Sequence, residues 1–128
     1  MSAIGQPSAA LPPGSKPEVF GMVCVLKDEC EAEYRRLHAD GNAGVRDLLS
    51  KYHLRNFSIF LHRINGRLYE FGTYSYCGTD RAHDMALLDA EPRNQAWLRV
   101  CDPMQESIAA CKTEGGNWSM MQSVYRND

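Results

Sequence analysis

Asn65-Gly66 leaves the chain little choice over residues 56–76. A two-residue hairpin turn of type I′ needs positive φ at both central positions, which Asn and Gly tolerate better than other residues. Before the turn, residues 56–64 alternate, with Phe57, Ile59 and Leu61 on one side and Ser58, Phe60 and His62 on the other. A returning strand is expected from about Arg67 to Tyr76. Its register is fixed by the same alternation, because a slip of one residue would turn every side chain to the wrong face.

The rest of the chain is arranged around this hairpin. Val19 to Leu26 is short, apolar and β-branched, which suits a buried strand. Asp28 is expected to cap a helix that carries Tyr34 and His38 and weakens at Asp40-Gly41. Val45, Leu48, Leu49 and Tyr52 recur at helical spacing and predict a second helix. After the hairpin, Thr79 is placed to cap a helix with Ala82, Met85 and Ala86 on one stripe. Pro92 suits the first turn of a further helix bearing Trp97 and Val100. Pro103 must end or kink that helix, residues 104–112 read as a resumed helix, and residues 118–125 read as a last strand. Residues 1–17 hold four of the six prolines among Ser, Ala and Gly and read as a flexible N-terminal tail, with residues 18–128 as one domain.

Strand, helices, strand, hairpin return, helices, strand is the split βαβ order of ferredoxin-like domains, an α+β class with an antiparallel sheet and helices on one face. The other face is not polar enough to meet water. Phe60 points opposite Phe57 and Ile59, and Tyr69 and Phe71 oppose Tyr74 and Tyr76. A second copy of the chain is the simplest cover, so a homodimer is expected.

The stretch with chemistry in it is Glu33-Tyr34-Arg35-Arg36-Leu37-His38, which sets a phenol and an imidazole four residues apart on one helical face. Tyr can orient a polar ligand and His can move a proton near neutral pH. The same spacing also suits a packed, hydrogen-bonded core edge. The formal charge is −2, from 14 basic and 16 acidic residues, which disfavours nucleic acid as a partner. No apolar run is long enough to cross a bilayer and the N-terminus lacks signal-peptide character, so a soluble cytoplasmic protein with no membrane partner is expected. The five cysteines, Cys24, Cys30, Cys77, Cys101 and Cys111, form no Cys-x-x-Cys pair and read as reduced thiols. Asp80, His83 and Asp84 have ligand chemistry but equally suit the charged start of a helix. No metal or other cofactor is expected.

Taken together, these pieces resemble the L-rhamnose mutarotases and the related L-fucose mutarotase-like branch. The marks are Glu33 to His38 after the first strand, Asn56-Phe57-Ser58-Ile59-Phe60-Leu61 in the second, Trp97 ahead of Asp102-Pro103-Met104-Gln105, and Trp118-Ser119-Met120-Met121-Gln122-Ser123-Val124-Tyr125 at the end. The resemblance implies a dimeric α+β barrel with a sugar pocket in which Tyr34 binds substrate, His38 donates a proton and Trp97 contacts the ring. Phe57 and Leu98 stand at further substrate-binding positions, where members of the family commonly carry Tyr and a second Trp. Asn42-Ala43 replaces a common Trp-Pro pair.

The implied function is a mutarotase interconverting the anomers of a 6-deoxyhexose, L-rhamnose or L-fucose, by acid/base ring opening and closure. The alternatives are a catalytically inactive sugar-binding or structural module of the same fold, and an oxidative, haem-linked relative of the barrel group.

Overall fold

The computed structural model describes residues 5–108 and 116–127. Its regular elements among these residues are β1 (Glu18–Leu26), α1 (Glu31–Leu37), α2 (Arg46–Lys51), β2 (Leu54–Ile64), β3 (Arg67–Tyr76), α3 (Arg81–Ala90), α4 (Pro92–Cys101), β4 (Gln105–Glu106) and β5 (Ser119–Met121). The fold is α+β, a curled antiparallel sheet in the order β2-β3-β1-β4 with β5 also on β1. The long pairs are β2 with β3 and β1 with β3. β4 meets Val25 and Leu26 and β5 meets Gly21 to Val23, so the two short strands follow one another along a single edge of β1.

The hairpin forms as its turn chemistry requires, with Asn65 at φ 51° and Gly66 at φ 80°. Its register pairs Ile64 with Arg67 and Phe60 with Phe71. Arg55 pairs with Ser75 but Ser58 pairs with Thr73, so β2 carries one extra residue there. Asn56 absorbs this bulge at φ 55°. The bulge rephases the strand, letting Leu54 and Phe57, three residues apart, both face the helices.

One face of the sheet carries the core. Leu68, Glu70, Gly72, Tyr74 and Tyr76 of β3 are all buried, as are Met22, Cys24 and Leu26 of β1. One core cluster gathers Met22, Val45, Leu48, Tyr52, Leu54, Tyr74, Tyr76 and Leu88; a second gathers Leu26, Tyr34, Leu68 and Cys101. Trp97 packs against both. The opposite face carries Phe60, which is 61% exposed, with Ile64, Val19 and Met121 also open.

Several local expectations are corrected. Asp28 begins a 3-10 turn, Asp28–Cys30, and bonds Arg63 rather than capping α1. Asp80, not Thr79, caps α3, accepting from the His83 amide at 3.2 Å. Met104 closes a 3-10 turn, Asp102–Met104, and the chain then joins the free edge of β1 as β4 instead of resuming a helix. Residues 107 and 108 are not helical, and the remainder of that expected helix, with Cys111, lies outside the described residues. The last strand ends at Met121, and Val124 beyond it is 94% exposed.

The expected flexible tail is docked over residues 6–11. Ser8 gives its amide and hydroxyl to Asp84 at 2.7 and 2.6 Å, and Tyr76 bonds the same carboxylate. His53 Nε2 meets Ser8 O at 2.6 Å, His83 Nε2 meets Gln6 O at 2.8 Å, and the Leu11 amide donates to Cys77 O at 2.9 Å. The cause is Asp84, a fully buried carboxylate that needs donors. Gly78 makes room for them, since a Cβ there would stand 2.8 Å from Asp84 Oδ2 and 2.5 Å from the Tyr76 hydroxyl.

Candidate active site

Tyr34 and His38 share one face of α1, as their spacing predicts, and their rings stack at 4.1 Å with 29° between planes. His38 is the last, capping residue of the helix, and its Nδ1 lies 2.8 Å from the Tyr34 carbonyl oxygen. A carbonyl only accepts, so Nδ1 carries the hydrogen. This fixes the tautomer and leaves Nε2, which has no hydrogen-bond partner among the described residues, as the atom that can take and give a proton. Burial holds the imidazole below its ordinary pKa, and the Arg46 cation adds to this against the opposing bond from the Tyr34 carbonyl.

Trp97, on α4, also meets the imidazole, edge-on with ring centroids 5.2 Å apart. The indole can approach because residue 44 is glycine. At φ 57° it takes a left-handed turn, and a Cβ there would sit 3.3 Å from the Trp97 ring. The segment between α1 and α2 is tied down by Arg46, whose Nη1 donates to Asn42 O at 2.7 Å and whose Nη2 donates to His38 O at 3.0 Å. Asn42 itself donates to Leu37 O at 2.7 Å.

The structure thus brings together Tyr34, His38 and Trp97. Phe57 lies on the same face of the sheet but stacks on Tyr74, at 5.4 Å, in a ladder that continues to Phe20. Leu98 is 37% exposed and belongs to neither core cluster. Two open depressions elsewhere on the surface, one beside Lys27 and Arg67 and one beside Lys16 and Arg81, include none of these five residues.

A family model for L-rhamnose mutarotase matches residues 19–127. The chain belongs to the L-rhamnose mutarotase family. That family's reaction is an isomerisation, and the match covers nearly the whole chain. No curated protein matches it.

In this mutarotase-family chain the hydroxyl of Tyr34 points inward. It donates to Glu70 Oε1 at 3.1 Å and accepts from Gln105 Nε2 at 3.2 Å. Gln105 also bonds Glu70, Cys24 donates to Glu70 Oε1 at 3.0 Å, and Asn117 extends the network to Gln105 Oε1 at 3.3 Å. Burial pushes the Tyr34 phenol and the Cys24 thiol well up and also raises the Glu70 carboxyl. Sequence reasoning missed this layer. Its signal was present in the alternation of β3, which puts Glu70 in step with Leu68 and Tyr74, a carboxylate at a core position. Arg46 had no such signal, because its role depends on how the loop after His38 turns back.

The Asp80, His83 and Asp84 cluster is accounted for by other bonds: Asp80 caps α3, His83 meets Gln6, and Asp84 holds Ser8. Among the described residues, no group of three or more His, Cys, Asp or Glu is arranged to hold a metal ion. Nor is any helix there long and apolar enough to cross a membrane.

Proposed function

We propose that the chain is a mutarotase for a 6-deoxyhexose, L-rhamnose or L-fucose, acting in the cytoplasm without a cofactor. The observation that carries this reading is the state of His38: tautomer fixed through Nδ1, ring in contact with Tyr34 and Trp97, and Nε2 free to exchange a proton. Opening a pyranose needs a proton at the ring oxygen and the loss of one from the anomeric hydroxyl. In this proposal Nε2 gives the first and water takes the second; the open aldehyde rotates, and as the ring closes on the other face Nε2 recovers its proton from the ring hydroxyl and water returns one to the new anomeric oxygen. Trp97 offers an apolar surface to the ring and the 6-methyl group, with Phe57 and Leu98 completing the apolar contacts. Exchange spectroscopy across a panel of 6-deoxyhexoses tests the substrate: L-rhamnose or L-fucose should exchange fastest, and a panel with no preference would oppose a dedicated pocket.

The acid role has a pH signature. Imidazole ordinarily titrates near 6.5, and burial of His38 lowers that value. The imidazolium is the donor, so kcat/KM should fall as pH rises through a value below 6.5, and that limb should vanish in His38→Asn. A rate that instead falls on acidification would assign bare Nε2 to the anomeric hydroxyl, as a base.

A homodimer is part of the same proposal. The open face presents Phe60, Ile64, Val19 and Met121, with Phe71 between Val23 and Phe60 in the register, and a second curled sheet laid on it would close a barrel. Light scattering at micromolar concentration should give about twice the 14.4 kDa chain mass. A monomer would leave that face uncovered and count against the arrangement.

A further inference from the structure

We propose that Glu70 is a positioning residue for the exchange reaction: as a neutral carboxylic acid it holds the Tyr34 hydroxyl and, through the Tyr34 ring, the tilt of the His38 imidazole. The inference rests on the mutarotase reading and extends it to a residue behind the site. Glu70 is 0% exposed. Its Oε1 receives Cys24, Tyr34 and Gln105, whereas its Oε2, equally buried, has no partner among the described residues. All three donors converge on one oxygen, so Oε1 holds the Tyr34 hydroxyl and a proton on Glu70 sits on Oε2.

Among the described residues, no cation is paired with Glu70. The groups acting on Glu70 are the thiol of Cys24 on β1, the phenol of Tyr34 on α1 and the amide of Gln105 on β4. The Asp102 carboxylate, after α4, lies within electrostatic reach of Cys24. The three donors on Oε1 favour the ionised form, but burial of a full charge outweighs them and raises the carboxyl, so the proton stays.

The consequence for the site follows from the stacking. The Tyr34 ring lies 4.1 Å from the imidazole, and its hydroxyl is anchored from two sides, so its orientation is fixed from behind. A negative Glu70 at the far end of that ring would stabilise the imidazolium and weaken it as an acid. A neutral one leaves His38 a strong donor. Arg46, the cation facing His38 from α2, acts in the same direction.

Glu70→Leu tests this, because it fills similar space and removes the acceptor. It should lose stability, because three buried donors are left without their acceptor, so activity is read well below its melting temperature. It should lose exchange by about 10- to 100-fold in kcat, the scale of a misplaced catalytic group, with KM little changed. Glu70→Gln keeps an uncharged acceptor for Tyr34; it should restore most of the lost rate and leave His38 titrating, by NMR, where the parent does. Tyr34→Phe should repeat the Glu70→Leu loss, and the double variant should lose no more than either single one. Full exchange in folded Glu70→Leu, or a drop in the His38 titration of Glu70→Gln, would overturn the proposal. If Glu70→Leu fails to fold, a loss of exchange in Glu70→Gln as large as that in Tyr34→Phe would do the same. The titration of His38 in these variants needs no turnover, so it still tests the proposal if the parent shows no exchange, an outcome that defeats the functional reading instead.

Discussion

Replacing His38 with Asn is expected to slow anomer exchange by about 10²- to 10⁴-fold, the usual contribution of a general acid/base group, while the melting temperature stays within a few degrees. The structure gives a reason for that separation. His38 ends α1, and its Nδ1 satisfies the carbonyl of Tyr34 in its own helix. An Asn amide at the same place can donate to that carbonyl and is accepted at helix C-termini, so the local fold survives. What it cannot supply is Nε2. A parallel loss of stability and activity would return His38 to the packed edge of the core. Full activity in the folded variant would remove it from the mechanism.

Deleting residues 1–12 is expected to destabilise the protein by several kcal/mol and lower its melting temperature by 5 °C or more, at about 1–3 kcal/mol for each buried group left unpaired and more when it is charged. Asp84 is the reason. It is fully buried, and of its three donors Ser8 supplies two. Burial alone would raise its pKa, but the bonds from Ser8 and Tyr76, with the charge of nearby His53, hold it below the ordinary aspartate value. A carboxyl depressed in the folded state binds fewer protons there than when unfolded, so it adds stability above its unfolded pKa that is lost as pH falls. The truncated protein should therefore lose stability mainly near neutrality and differ less from the parent in acid. Thermal melts at pH 7 and pH 3 check both statements, and an unchanged melt at pH 7 would show that the segment merely rests on the surface. Ser8→Ala, which keeps the amide donor, should cost about 1 kcal/mol.

These contacts also mark where the sequence stops being readable. The hairpin was legible because Asn65-Gly66 states its own backbone angles, and Tyr34 and His38 were legible because helical spacing brings them to one face. Each of those signals is local. Ser8 and Asp84 are 76 residues apart, and a stretch rich in proline and serine gives no hint that a buried carboxylate waits for it. The short β4 was hidden in a similar way, because Gln105 and Glu106 become strand only by meeting the free edge of β1. Glu70 is a different case. Its place in the alternation of β3 already put a carboxylate among core residues, and the missing step was to ask what it bonds. Phe57 and Leu98 were named from the family pattern. The sheet puts Phe57 on the core side beside Tyr74, and α4 leaves Leu98 partly open.

The most direct measurement is two-dimensional exchange spectroscopy of L-rhamnose with catalytic amounts of the purified protein. The account predicts cross-peaks between the α and β anomeric protons at mixing times where buffer alone gives none, and their loss on His38→Asn. A folded protein that leaves the anomers exchanging at the buffer rate, for L-rhamnose and for L-fucose alike, would contradict it.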